Sequence, residues 1–256
     1  MDFLTAFHTD VGIKKKTNQD SLLIQKAQTP TGNVLLAVIC DGMGGLAKGE
    51  VASACMIHAF SDWFRTELPP MLSAGLQPEA LRTSWEQLVS AVNQKITNYS
   101  ISNGVSMGTT CAALLIVNSV YYIMNIGDSR IYLISDNIYQ LTKDHTYIQQ
   151  EMDAGRMTYE ESLRDPKRNV LLQCVGASPV IQPDFFMGDV QINQCYMLCC
   201  DGFRHVISPQ ELFQCLNPMA AVSVEAMQQS VVYLTELNKQ RRETDNITVA
   251  LIRTYS

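Results

Sequence analysis

The chain has 256 residues, 46% of them hydrophobic and 17% charged, which is the composition of a globular protein and excludes a disordered one. Its 19 Lys and Arg against 25 Asp and Glu leave a formal net charge of −6, which argues against general binding of nucleic acid or anionic membrane. The length suits a single domain over 1–256 with an ample core.

Residues 2–9 and 20–27 read as strands, joined by a polar segment that carries Lys14-Lys15-Lys16. The turn cluster Thr29-Pro30-Thr31-Gly32-Asn33 returns the chain as a hairpin into residues 34–40, seven apolar residues without alternation. Such a run is a strand covered on both faces. It ends on Asp41 and a glycine-rich turn, Gly42-Met43-Gly44-Gly45, where Gly42 lets a backbone carbonyl approach whatever the carboxylate holds. A helix is expected over roughly 47–66, with Val51, Cys55, Phe60 and Phe64 as core contacts. A linker from Pro69-Pro70 to Pro78 follows. The next helix shows one apolar face at helical period: Leu81, Trp85, Leu88, Val92, Ile96 and Tyr99.

Strands return at 108–117, 121–126, 131–134 and 138–141. Residues 142–178 break the pattern. An excursion of that length inside a strand-rich domain suggests a lid or binding flap, here placed at about 146–178. Helices at roughly 208–215 and 219–240 lie between two last strands, which end the chain. Antiparallel strands and helices in separate blocks indicate an α+β fold, two stacked sheets flanked by helices.

Eight cysteines are too few for a disulfide scaffold, and Cys195-x3-Cys199-Cys200 lacks a second pair to complete a zinc site. The start, Met1-Asp2-Phe3-Leu4, lacks the basic region of a secretory signal, and no uncharged apolar stretch reaches the ~18–20 residues of a membrane helix. The expectation is a cytoplasmic protein with no membrane partner.

The chemistry lies at the strand ends. Asp41, Asp128 and Asp201 each follow an apolar run, and Asp245 precedes one. If the last strand is antiparallel to its neighbours, the four carboxylates meet at one end of the sheets. Clustered carboxylates repel one another and take up protons unless a cation sits among them. All-oxygen donors suit Mg2+ or Mn2+. Two ions sharing Asp41 could hold a water and lower its pKa toward ~7, a device used to hydrolyse phosphate esters. Ser106 and Ser129 lack an arranged His–Asp pair, so a covalent serine route has no support.

Seven elements occur in order: Asp10-x-Gly12…Asn18-Gln19-Asp20, Asp41-Gly42-Met43-Gly44-Gly45, Met107-Gly108-Thr109-Thr110, Gly127-Asp128-Ser129-Arg130, Leu141-Thr142-x-Asp144-His145, Cys200-Asp201-Gly202 and Asp245-Asn246-Ile247-Thr248-Val249. Together they closely resemble the metal-dependent protein Ser/Thr phosphatases of the type 2C (PPM) family in their compact bacterial form. The resemblance implies a four-layer αββα sandwich and hydrolysis of phosphoserine and phosphothreonine by a metal-bridging water. It also implies two Mn2+ or Mg2+ ions, with a third, weaker one possible. Asp41, Asp201 and Asp245 would hold the first, Asp41 and the Gly42 carbonyl the second, and Asp20 would support them through water. Asp128 with Asp201 would match the third site. The implied partners are phosphoprotein substrates and a cognate Ser/Thr kinase, and the implied state is a monomer.

Two positions depart from the family. Lys15 stands where a phosphate-binding arginine is usual, keeping charge but not the bidentate fork. Leu46 stands where many bacterial relatives carry His. His145 fits the start of the flap better than an acid role, and His8, His58 and His205 have no supporting context. The alternative is a pseudophosphatase that docks phosphoproteins or partners without turnover.

Overall fold

Residues 1–43 and 48–256 are described by a computed structural model; Gly44, Gly45, Leu46 and the expected helix start at 47 lie outside the described residues. In chain order, β1 (Asp2–Asp10) and β2 (Ser21–Thr29) precede β3 (Gly32–Cys40) and the short β4 (Gly42–Met43). Three helices follow: α1 (Gly49–Thr66), α2 (Leu68–Ser73) and α3 (Pro78–Asn103). Next come β5 (Gly108–Thr109), β6 (Cys111–Val117), β7 (Val120–Ile126), β8 (Arg130–Ile134) and β9 (Ile138–Gln140). Helices α4 (Tyr147–Asp153) and α5 (Tyr159–Ser162) lie before β10 (Asp184–Asp189) and β11 (Cys195–Cys199). The chain closes with α6 (Asp201–Arg204), α7 (Pro209–Leu216), α8 (Val224–Gln240) and β12 (Ile247–Tyr255).

The strands form two five-stranded sheets, ordered β1-β12-β11-β8-β9 and β10-β7-β6-β3-β2, with every pairing antiparallel. The pleat sends alternate residues of β3 to opposite faces. Val34, Leu36, Val38 and Cys40 pack with Met56, Phe60 and Trp63 of α1 and Trp85 of α3. Leu35, Ala37 and Ile39 join the core shared with the second sheet, among Leu198, Ala250 and Ile252. The same core takes in Met227, Val231 and Leu234 of α8. This is the expected four-layer α+β (αββα) arrangement, and it explains why the 34–40 run does not alternate.

Local departures from expectation have simple causes. Val51 is exposed, and Ala52, Met56 and Phe60 carry the inner face of α1 instead. Tyr99 is also exposed, where its hydroxyl accepts from Lys48 Nζ at 2.8 Å. The Pro69-Pro70 linker holds a short helix, α2, because proline is tolerated in a first helical turn.

The return limb of the expected 146–178 flap is anchored. Thr109 and Val175 exchange backbone hydrogen bonds at 2.9 Å, and Val175 is fully buried. A Cβ on Gly176 would stand 2.3 Å from the Ile96 side chain. The outer excursion is therefore about 147–170, carried by α4 and α5.

Candidate metal centre

Antiparallel topology gathers the acidic strand ends. Ser21 pairs with Cys40, so Asp20 enters β2 beside the exit of β3 at Asp41. Strand β7 runs parallel to β3 by way of β6 and ends at the same edge, next to Asp128. In the other sheet Cys199 pairs with Val249, which sets Asp201 at the exit of β11 beside Asp245 at the entry of β12.

Hydrogen bonds fix the backbone at Asp41 and Asp20. Asp41 N–H donates to Thr110 Oγ1 (2.9 Å), and Asp41 O accepts from Thr110 N–H (2.9 Å) and Thr109 Oγ1 (3.0 Å). Asn18 Oδ1 accepts from Asp20 N–H at 3.1 Å. Asn246 ties three loops together: its Oδ1 accepts from Gln19 N–H (2.9 Å), and its Nδ2 donates to Val11 O (2.9 Å) and Thr17 O (3.2 Å). Two glycines permit the approach. A Cβ on Gly42 would lie 2.3 Å from both Gln19 O and Gly49 O, and one on Gly202 would lie 2.1 Å from Asn246 O.

The acids crowd one another in a buried place. Burial pushes Asp41 well above the usual carboxylate range, and Asp20, Asp201, Asp128 and Asp245 add repulsion. Burial also lifts Asp20 to about 7, with Asp201 and Asp245 adding to it. The Thr248 hydroxyl and Cys200 thiol face Asp20 and pull the other way, but neither reaches hydrogen-bond geometry. Both oxygens of Asp20 and Oδ1 of Asp201 are buried without a hydrogen-bond partner. Orphaned buried carboxylate oxygens are costly unless a cation completes them. The donor set therefore fits hard divalent ions.

Donor atoms of Asp20, Asp41 and Cys200 lie within 4.8 Å of one another. The thiol is otherwise engaged: it accepts from Thr248 N–H (3.1 Å) and lies 3.5 Å from Asn246 O as donor. Burial and the neighbouring acids push it well above its ordinary pKa. The carboxylates are left as the donors.

Lys15 reaches in from the loop after β1, its Nζ 2.8 Å from Asp245 Oδ1. Burial favours its neutral form, but the contact with Asp245 outweighs that and raises its pKa. Lys14, Lys15 and Lys16 are all exposed, and Lys15 is distinguished by its ion pair with Asp245.

Two side chains that the sequence left without a role, His205 and Arg204, join the cluster. His205 stands 3.4 Å from both Asp201 Oδ2 and Glu243 Oε2. Its Asp201 partner is one helical turn away, a spacing visible in the sequence; Glu243 is not. Arg204 approaches Asp128 and Asp144. His145 takes the structural role expected of it: Nδ1 accepts from Gly127 N–H (3.2 Å) and Gln173 Nε2 (2.8 Å), so Nε2 carries the proton toward Asp184 Oδ2 (3.0 Å). A groove of about 690 Å³ between α3 and residues 179–183 contains none of these acids.

The sequence model of the protein phosphatase 2C family matches residues 12–235, most of the chain. The chain belongs to the protein phosphatase 2C family. Among the relatives of this phosphatase, the serine/threonine phosphatase stp of Listeria monocytogenes is 32% identical over 254 residues, covering 96% of this chain and 94% of that protein. Its fold is also similar to the crystal structure of serine/threonine phosphatase Stp1 from Staphylococcus aureus, with TM-score 0.86, 27% identity, and coverage of 100% of this chain and 96% of that one. The catalytic domain of PstP in complex with two manganese ions gives TM-score 0.80 at 28% identity, covering 99% of each chain. No helix among the described residues of the phosphatase is long and apolar enough to cross a membrane.

Proposed function

We propose that this protein phosphatase 2C hydrolyses phosphoserine and phosphothreonine on proteins by direct attack of water, at two Mn2+ or Mg2+ ions held by its clustered acids. The observation that carries the reading is the set of buried, partnerless oxygens on Asp20 and Asp201 beside Asp41. Asp41, Asp201 and Asp245 would hold one ion, Asp41 and the Gly42 carbonyl the other, with Asp20 supporting them through water. When bound, such ions activate a water nucleophile and neutralise phosphoryl oxygens.

The chain's own residues do the positioning. Thr109 and Thr110 fix the Asp41 backbone, and Asn246 locks the loops that present Asp20 and Asp245. Lys15, already beside Asp245, is the cation within reach of the outward phosphoryl oxygens, where it would bind the phosphate and keep it in line for attack. The 147–170 excursion would select the peptide around the phosphoresidue. The substrate would come from a Ser/Thr kinase, and we place the reaction in the cytoplasm. A non-catalytic docking role is disfavoured because the carboxylate donors are all present.

The test is phosphate release from a phosphothreonine peptide with Mn2+ and with a strong chelator. Turnover that requires the ion supports the reading; equal rates in both would refute it.

A further inference from the structure

Arg204 follows the Asp201-Gly202-Phe203 segment in α6, and its side chain is only 13% exposed. A guanidinium in such a place needs a counter-charge. Its Nη2 donates to Asp128 O at 2.9 Å and lies 3.6 Å from Asp144 Oδ2 and 3.9 Å from Asp128 Oδ2. Asp144 is already matched. Arg130 grips it with both ends of its fork, Nε to Oδ1 at 2.8 Å and Nη2 to Oδ2 at 2.7 Å.

The balance then closes. Arg130 neutralises Asp144, which leaves Arg204 for Asp128, and both aspartate side chains are largely buried. An added divalent ion at Asp128 would face the Arg204 guanidinium, and the neighbouring carboxylate it could share, Asp201, is given to the first ion by the proposed function.

We infer that Arg204 holds Asp128 in place of a third metal ion and ties it to Asp144 at the root of the flap. The inference rests on the two-ion reading above. Arg204 is thus a positioning residue: it joins the helix that begins at Asp201 to the strand end that carries Asp128 and to the start of the excursion at Asp144. The alternative, a third ion shared by Asp128 and Asp201, requires the guanidinium to move away from Asp128.

The test is a count of bound Mn2+ on the full-length chain, by titration calorimetry and Mn2+ electron paramagnetic resonance, carried to millimolar ion. Wild type and Asp128→Asn should each bind two. Arg204→Ala should gain a third ion, and the gain should vanish in Arg204→Ala with Asp128→Asn. Three ions in wild type falling to two in Asp128→Asn would overturn the inference, as would a folded Arg204→Ala that stays at two. If Arg204→Ala does not fold, the wild-type and Asp128→Asn counts decide alone. No bound ion at all in wild type would defeat the two-ion reading and this inference with it, and a count of zero is distinct from a count of three.

Discussion

Lys15 Nζ and Asp245 Oδ1 meet at 2.8 Å, joining the loop after the first strand to the residue that opens the last. One lysine thus borders the carboxylate cluster at the place where a phosphoryl group would enter. On the proposed reading it would face two opposing tasks: its charge would attract phosphate and would compete with a metal ion for Asp245.

Lys15→Ala should therefore split binding. Affinity for Mn2+ should rise severalfold in calorimetry, because a competing cation has left Asp245. For a phosphopeptide, KM should rise with a smaller fall in kcat. Loss of one charge-assisted contact of ~1.5–3 kcal/mol corresponds to roughly ten- to a hundredfold in kcat/KM. Lys15→Arg should hold or improve kcat/KM, since a fork can engage two phosphoryl oxygens. A Lys15→Ala variant equal to wild type in both measurements would place the side chain outside the site.

Gly202→Ala tests the close approach between α6 and the loop before β12. Its Cβ would lie 2.1 Å from Asn246 O, a backbone atom with no freedom to swing aside. The cost should reach about 1–3 kcal/mol in denaturant unfolding, the range for overpacking. Activity should fall further than stability, because Asp201 and Asn246 shift together. Unchanged stability and activity would mean that the two segments are farther apart than they stand here.

Much of this was legible in the sequence, for a physical reason. Strand runs of 34–40 and 196–200 ending on Asp are local patterns, and antiparallel pairing turns them into a convergent site without further information. Arg204 and His205 were not legible. Their partners Asp144, Asp128 and Glu243 lie 38 to 76 residues away and meet them only through the stacking of sheets and helices. The anchored limb at 171–178 was hidden likewise, because Val175 pairs with Thr109 through an isolated bridge between segments distant in the chain, with no strand pattern around it. Gly44, Gly45 and Leu46 lie outside the described residues, so the expectation attached to Leu46 has no structural counterpart.

The anchoring changes how the flap should be exchanged. Replacing 147–170 by a relative's segment should leave the melting temperature near that of wild type. It should also alter peptide preference more than turnover of a small aryl phosphate. Extending the exchange through 171–178 should destabilise the fold, since Val175 and Gly176 pack against Thr109 and Ile96. Equal losses on peptide and aryl phosphate in the shorter exchange would argue against a selective role.

On the proposed reading Asp41 would join two catalytic ions at the meeting point of the sheets. The most direct test is phosphate release from a phosphothreonine peptide by wild type and Asp41→Asn across a Mn2+ titration, with folding checked by circular dichroism. Wild type should show saturable, chelator-sensitive turnover, and a folded Asp41→Asn none above background at any ion concentration. Wild-type turnover that survives the chelator, or a folded Asp41→Asn that keeps wild-type turnover, would contradict that reading.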